Sequence, residues 1–541
     1  MSKLPTNGLD DYESAVKDGF KFIDKTTYIE NITKYSVVLM CRPRRFGKSL
    51  FTSMLKSYFE GKKELFVNTS IYDIMPTEEY PVIYFNFSKG SKKSSNSLKT
   101  MLKSLVQTEA NRHSIKLKKT LEIEQLLEDL VVKLTKKNDD KKVVLLIDEY
   151  DHPLQEFLTN ESRNSKRALD TRLEHYMSFF ATVKALSPHL KFVYITGISR
   201  IAKASVFSGL NNATDLSMMT SMSGLFGVTF DELKLAYPKH IEAAQTALNM
   251  NDQQISLRLN ETYGGYSFKD TTIVVMNTLC VLKFLDPLFE FKLKDHWVET
   301  GPSRLFLKIF KFQDVFKNEI VVEESDLQQS TPDLGNLDCF LYDVGLITIK
   351  KEINSKLTLG FPNAYVKKYV IKNVYNWIFK TDNLGQGDTT MMDLLFADDF
   401  GGFRESFRNK IVNIPFQQWC AKDLPKLYLK ECVFQLMFNF YLQSTEYYRS
   451  AELCNLFGRS DNISENGSQI MIFEFKVNGS TSEALEQCFA KNYSSHFQTS
   501  SKAVYYVGIN IVVDKGNKDH HVVEIQVEKN LCKAAHKRIK K

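Results

Sequence analysis

An α/β fold, with a parallel sheet covered by helices on both faces, is predicted for the first part of the chain from two observations. Short apolar runs rich in β-branched and aromatic residues recur between residues 36 and 197, with the length and composition of fully buried strands. Between them lie longer stretches with helical periodicity, the crossover connections that parallel strands require. A third observation divides the chain. At about 150 residues per domain, 541 residues make about three domains, and the pattern changes twice. The expected organisation is an α/β domain over 1–225, a mostly helical middle region over 226–405 and a second α/β domain over 406–541.

Taken in order, the runs at 37–40, 82–85, 143–147 and 192–195 read as four core strands. After the first, Leu50, Phe51, Met54, Leu55, Tyr58 and Phe59 form one apolar stripe at helical spacing, so that helix packs on the sheet. Beyond residue 225, amphipathic segments such as 231–250 and 304–317 replace the strand pattern. The apolar stretch 271–289 is interrupted by Asn277, Lys283 and Asp286, which suits a buried helix and not a membrane span. The last domain is expected to carry a helix over 429–442, strands over 469–477 and 503–513, and a helix over 482–493 between them.

Composition narrows the class without choosing the function. Hydrophobic residues at 43% and charged residues at 25% are ordinary for a globular chain and exclude a disordered or fibrous one. A net charge of +7 permits contact with nucleic acid without requiring it. The eight cysteines are scattered singly, with no CxxC pair, which fits reduced thiols in a cytoplasmic protein. The first twenty residues lack the apolar core of a signal peptide. The charge run 136–142 and the basic tail 533–541 read as solvated segments.

The first strand runs into Arg42-Pro43-Arg44-Arg45-Phe46-Gly47-Lys48-Ser49, the Gly-Lys-Ser end of a phosphate loop, with Arg42 where the first glycine usually sits. A strand before and a helix after supply the context, because N–H groups at a helix start face an anion in the favourable field of the helix dipole. Gly47 allows close backbone approach, Lys48 is placed for the β and γ phosphates of ATP, and Ser49 for Mg²⁺. Arg44, Arg45 and Phe46 lie in the same loop. The third strand ends in Asp148-Glu149; Asp148 is assigned to hold Mg²⁺ through water and Glu149 to polarise the attacking water. The fourth strand ends in Thr196-Gly197-Ile198-Ser199-Arg200, on the edge where open α/β sheets bind ligands. Thr196 is a candidate γ-phosphate sensor. Arg200 is a candidate for transition-state charge, in its own chain or across a homo-oligomer, with anchoring of the next loop as the other reading.

These strings, together with the Tyr80-Pro81-Val82-Ile83 run, the LIDEYDHP run at 146–153 and TGISRIAKASVFSGLNN at 196–212, resemble the AAA-ATPase-like family, whose members often carry a C-terminal nuclease-like domain of the PD-(D/E)XK superfamily. The resemblance covers nearly the whole chain and implies a P-loop NTPase sheet followed by a restriction-endonuclease-like α/β domain. It departs at Tyr263-Gly264-Gly265-Tyr266, where the family's usual second residue is asparagine.

In the last domain, Asp461 precedes a strand carrying Glu474-Phe475-Lys476, and strand alternation puts Glu474 and Lys476 on one face. Asp461 and Glu474 offer hard oxygen ligands to Mg²⁺, Lys476 can orient or deprotonate water, and Glu431 on the preceding helix would complete the metal shell. Gln487 resembles the glutamine that often accompanies this nuclease core. The first reading is therefore an ATPase that gates a Mg²⁺-dependent nuclease acting on DNA or RNA, with no membrane partner. The alternatives are an ATP-driven switch whose last domain only binds nucleic acid or protein, and an inactive interaction protein that has kept the fold.

Overall fold

The computed structural model describes the chain except residues 1, 7, 90–96, 119, 160–165, 201–208, 294–319, 329–336, 371–388, 413–433, 436–437, 440, 443–446, 452–453, 456–457, 498–499, 514–520 and 530–541. The chain divides into two compact units, Met1–Lys367 and Lys368–Lys541.

The first unit is built on five strands, β1 (Val37–Cys41), β2 (Val82–Asn86), β3 (Val143–Asp148), β4 (Leu190–Gly197) and the short β5 (Thr214–Asp215). Their order in the sheet is β2-β3-β4-β1-β5, and every pairing is parallel. All residues of β1 and β3 are buried, as helices on both faces require. Strand alternation sorts the side chains. Leu39, Phe85, Leu145 and Val193 face a core shared with the helices Ser97–Arg112, Ile123–Lys137 and Lys166–Ala185, whose Leu102, Leu127 and Phe180 are buried there. On the other face the helix Lys48–Phe59 meets the sheet through aromatic contacts, Phe51 with Tyr194 at 6.3 Å and Phe59 with Phe192 at 5.4 Å. The strand that separates β1 from β3 is β4, so both motif-bearing strand ends border β4.

The other described residues of this unit are mostly helical, with one addition. The helices Phe230–Ala236, Pro238–Leu248, Asp252–Tyr263 and Thr278–Leu285 close a core of their own around Leu233, Ile241, Leu259 and Leu282. The expected single helix over 231–250 is broken because Pro238 starts a second helix at its first position, where its fixed φ and missing N–H do no harm. The addition is an antiparallel sheet of β6 (Ile320–Glu323), β7 (Thr348–Ile353) and β8 (Lys356–Gly360) in the order β6-β8-β7. Asn354 and Ser355, with φ of 49° and 63°, make the two-residue turn that matches the twist of a hairpin. The expected helix over 304–317 lies outside the described residues. Among the described residues no helix is long and apolar enough to cross a membrane.

The second unit carries β9 (Tyr448–Ala451), the short pair β10 (Cys454–Asn455) and β11 (Gly458–Arg459), then β12 (Asn462–Glu465), β13 (Gln469–Val477), β14 (Ala503–Val513) and β15 (His521–Lys529). Five of these form a mixed sheet in the order β15-β14-β13-β12-β9. Its one parallel pair, β13 with β14, is bridged by the helix Thr481–Ala490, which opens with a Ser480–Glu483 capping box. Of the helix expected over 429–442, residues 434–435, 438–439 and 441–442 are described and helical. There Phe438 packs on Phe473 at 4.7 Å and Phe475 at 5.3 Å.

Candidate functional site

The phosphate loop is shaped by its backbone. Gly47 sits at φ +100° directly before the helix Lys48–Phe59, a conformation that a side chain would strain. The carbonyls of the loop are held from outside: Arg44 O accepts from Asn277 Nδ2 at 3.3 Å, Arg45 O from Leu279 N at 3.3 Å, and Phe46 O from Gly227 N at 3.2 Å. Lys48 is buried and donates from Nζ to Pro43 O at 2.9 Å. Burial pushes its ammonium down, against the raising fields of Glu149, Asp148 and Asp151. A cavity of about 570 Å³ opens over this loop, bordered by Arg44, Arg45, Phe46, Gly47, Lys48 and Ser49 on one side and Glu149 on the other.

Asp148 closes β3 and is fully buried. It accepts from Glu149 N at 3.0 Å and from Tyr84 Oη at 3.3 Å. Burial, then the neighbouring Glu149, pushes its carboxyl up to about 6. The Ser49 hydroxyl and the Asp148 carboxylate are the hard oxygen donors that Mg²⁺ takes, usually with water and phosphate filling its other positions. Among the described residues no group of three or more His, Cys, Asp and Glu side chains is placed to hold a metal ion by itself. Glu149 stands at φ +56°, a turned backbone that carries its side chain to the cavity rim.

Asp148, Thr196 and Arg200 do not border the cavity. Thr196 Oγ1 donates to Met40 O at 2.7 Å, across the β1–β4 pair. Arg200 is buried against Asp343, donating from its backbone N at 2.8 Å, from Nε at 2.9 Å and from Nη2. Arg200 is fully buried, so it is not the surface anchor of the second reading, and the loop that follows it lies outside the described residues. Arg42 does what a glycine could not: its buried guanidinium donates to Cys41 O at 2.9 Å, Ser217 O at 2.7 Å and Met222 O at 3.1 Å, and lies 4.3 Å from the Phe268 ring centroid.

Four residues at this site escaped the sequence reading. Asn86, Ser88 and His152 border the cavity, and Tyr84 bonds Asp148. Asn86 had a usable signal, because it is the polar residue that ends an apolar strand, and it pairs in register with Asp148. Tyr84 had none, being one aromatic residue in a core strand.

In the second unit the strand alternation holds. Lys476 Nζ lies 3.7 Å from Glu474 Oε1 on one face of β13, and Phe475 N donates to Asp461 Oδ2 at 2.8 Å. Gln487 Nε2 donates to Glu474 Oε1 and, at 3.3 Å, to Tyr493 Oη. The structure thus brings Asp461, Glu474, Lys476 and Gln487 together. Glu474 is buried, and burial together with the charges of Glu474 and Asp461 raises the thiol of Cys488. Cys488 and Tyr493 are additions to the sequence reading. Glu431 lies outside the described residues. Two hard carboxylates beside an amine form a donor set that fits Mg²⁺.

Comparison with known proteins agrees with both halves. Residues 6–207 match the AAA-ATPase-like family, described as predicted AAA-ATPase, and residues 429–521 match the PD-(D/E)XK nuclease superfamily. The chain is also similar to a protein of Azotobacter chroococcum mcd 1 named "Uncharacterized protein in vnfD 5′region", at 24% identity over 527 residues, covering 94% of this chain and 96% of that protein. The chain therefore joins an AAA-ATPase-like domain to a PD-(D/E)XK nuclease superfamily domain in one polypeptide.

Proposed function

We propose that the first unit binds and hydrolyses ATP with Mg²⁺, and that its nucleotide state gates a Mg²⁺-dependent nuclease in the second unit acting on nucleic acid. The observation that carries the first half is one cavity lined by Lys48, Ser49 and Glu149 over the phosphate loop, with buried Asp148 next to Glu149 at the end of β3. In this reading Lys48 leaves Pro43 O to bind the β and γ phosphates, Ser49 and Asp148 hold the metal, and Glu149 accepts a proton from the attacking water. Bound Mg²⁺ supplies charge neutralisation at the phosphates. In the second unit Asp461 and Glu474 are the metal ligands, Lys476 orients or deprotonates the nucleophilic water, and Gln487 positions Glu474. Residues 226–405 connect the two chemistries.

A second reading, in which the last domain only binds nucleic acid or protein, has one observation in its favour. Gln487 and Lys476 both contact Glu474 Oε1, so protein groups already occupy one oxygen of this carboxylate. One experiment separates the two. Labelled single- and double-stranded DNA and RNA are incubated with the full chain and Mg²⁺, with and without ATP, beside Lys48→Ala and Lys476→Ala. Cleavage that is lost in Lys476→Ala and altered by ATP or by Lys48→Ala establishes the gated nuclease. ATP turnover with no cleavage of any substrate leaves the binding switch.

A further inference from the structure

The helical region touches the ATP site from behind, through residues to which the proposed chemistry gives no role. The helix Leu337–Asp343 ends on Asp343, which is buried and takes three donors from Arg200 on one carboxylate. Arg200 follows Ser199, whose backbone N and hydroxyl both donate to Asp151 Oδ2 at 2.7 Å, while Ile198 N donates to Asp151 Oδ1 at 3.1 Å. Asp151 lies two residues beyond Glu149. A buried polar chain therefore runs from Asp343 through the end of β4 to the turn that carries Glu149.

The same helix end also meets the phosphate loop. Gly345, at φ +80°, sits so close that a Cβ would come within 2.8 Å of the Pro43 ring. Tyr342 Oη donates to Phe268 O at 2.7 Å, and the Phe268 ring lies beneath Arg42. A buried ion pair adds little net stability compared with an apolar pair of the same size. What this one provides is direction, because both the backbone and the side chain of Arg200 are fixed by one group.

Resting on the ATPase reading, we propose that Asp343 is a positioning residue for ATP turnover: through Arg200 and the Asp151 turn it sets Glu149 against the bound nucleotide. It acts on the placement of the catalytic base and not on the phosphate loop's affinity, so it separates kcat from KM. Sub-ångström to ångström displacement of a catalytic group costs up to about 100-fold in rate.

The test is steady-state phosphate release by the full chain, wild type beside Asp343→Asn and Asp343→Glu, each normalised to the sites counted by titration with a fluorescent ATP analogue. Asp343→Asn should lower kcat per site about tenfold and leave KM for ATP within about twofold, while Asp343→Glu should recover at least half of the loss. Unchanged turnover per site in Asp343→Asn, KM rising in step with the fall in kcat, or no recovery in Asp343→Glu would each overturn the proposal while leaving the ATPase reading intact. A wild type that binds the analogue but releases no phosphate would overturn the hydrolytic reading and this proposal with it. Should Asp343→Asn fail to accumulate as folded protein, Arg200→Lys, which keeps the charge pair but cannot make the forked contact, carries the same expectations.

Discussion

Lys48 and Asp148 are one charge balance seen from two sides: burial pushes the ammonium down and the carboxyl up, and each resists the other's loss of charge. An acid raised from 3.8 to about 6 in the folded chain binds more protons folded than unfolded within that window, so its contribution to stability falls as pH rises through it. Above about pH 6 the ionised carboxylate then costs roughly 3 kcal/mol, from about 1.4 kcal/mol per pKa unit. Asp148→Asn removes the effect. Melting temperatures of wild type and Asp148→Asn, taken without Mg²⁺ or nucleotide, should therefore differ by an amount that shifts in favour of the variant as pH rises from 4 to 7, and a pH-independent gap contradicts the assignment. Mg²⁺ needs the ionised form, so Mg²⁺-dependent nucleotide binding should strengthen through the same interval.

At the scale of elements, Arg42 separates two views of the phosphate loop. If the loop wanted the usual glycine there, Arg42→Gly would improve it. The three carbonyls that the guanidinium bonds and the Phe268 face it covers predict the reverse. Arg42→Gly should lower the stability of the first unit by about 2–4 kcal/mol, through unsatisfied carbonyls and an empty volume, as read from its thermal unfolding transition. The strands and the first helix were legible because burial on both faces leaves a continuous apolar run, and one-sided packing leaves a stripe such as Phe51 with Phe59. The β7–β8 hairpin was not, since Lys350, Lys351, Glu352 and Lys356 dilute its apolar positions and Asn354-Ser355 is a weak turn signal. The candidate ATP site was legible where it lies in contiguous motifs, in Gly47-Lys48-Ser49, which lines the cavity, and Asp148-Glu149, whose Glu149 borders it. What was not legible joins distant residues: Arg200 meets a partner 143 positions away, and no local pattern records that.

For the whole molecule, the two candidate sites lie in separate compact units, and the similar Azotobacter protein spans both. In the proposed gating, control runs from nucleotide to nuclease. Lys476→Ala should therefore leave ATP turnover within about twofold of wild type, and Lys48→Ala should leave divalent-metal binding in the second unit unchanged by calorimetry. Loss of ATP turnover in Lys476→Ala would mean that the second site also controls the first. ATP hydrolysis at this site is tested by phosphate release from Mg²⁺-ATP by the purified full chain beside Lys48→Ala and Glu149→Gln. Wild type should turn over, Lys48→Ala should lose turnover together with nucleotide affinity, and Glu149→Gln should fall by about 10²–10⁴-fold with affinity retained. Wild-type turnover that survives unchanged in Glu149→Gln, or that is absent altogether, would contradict hydrolysis at this site.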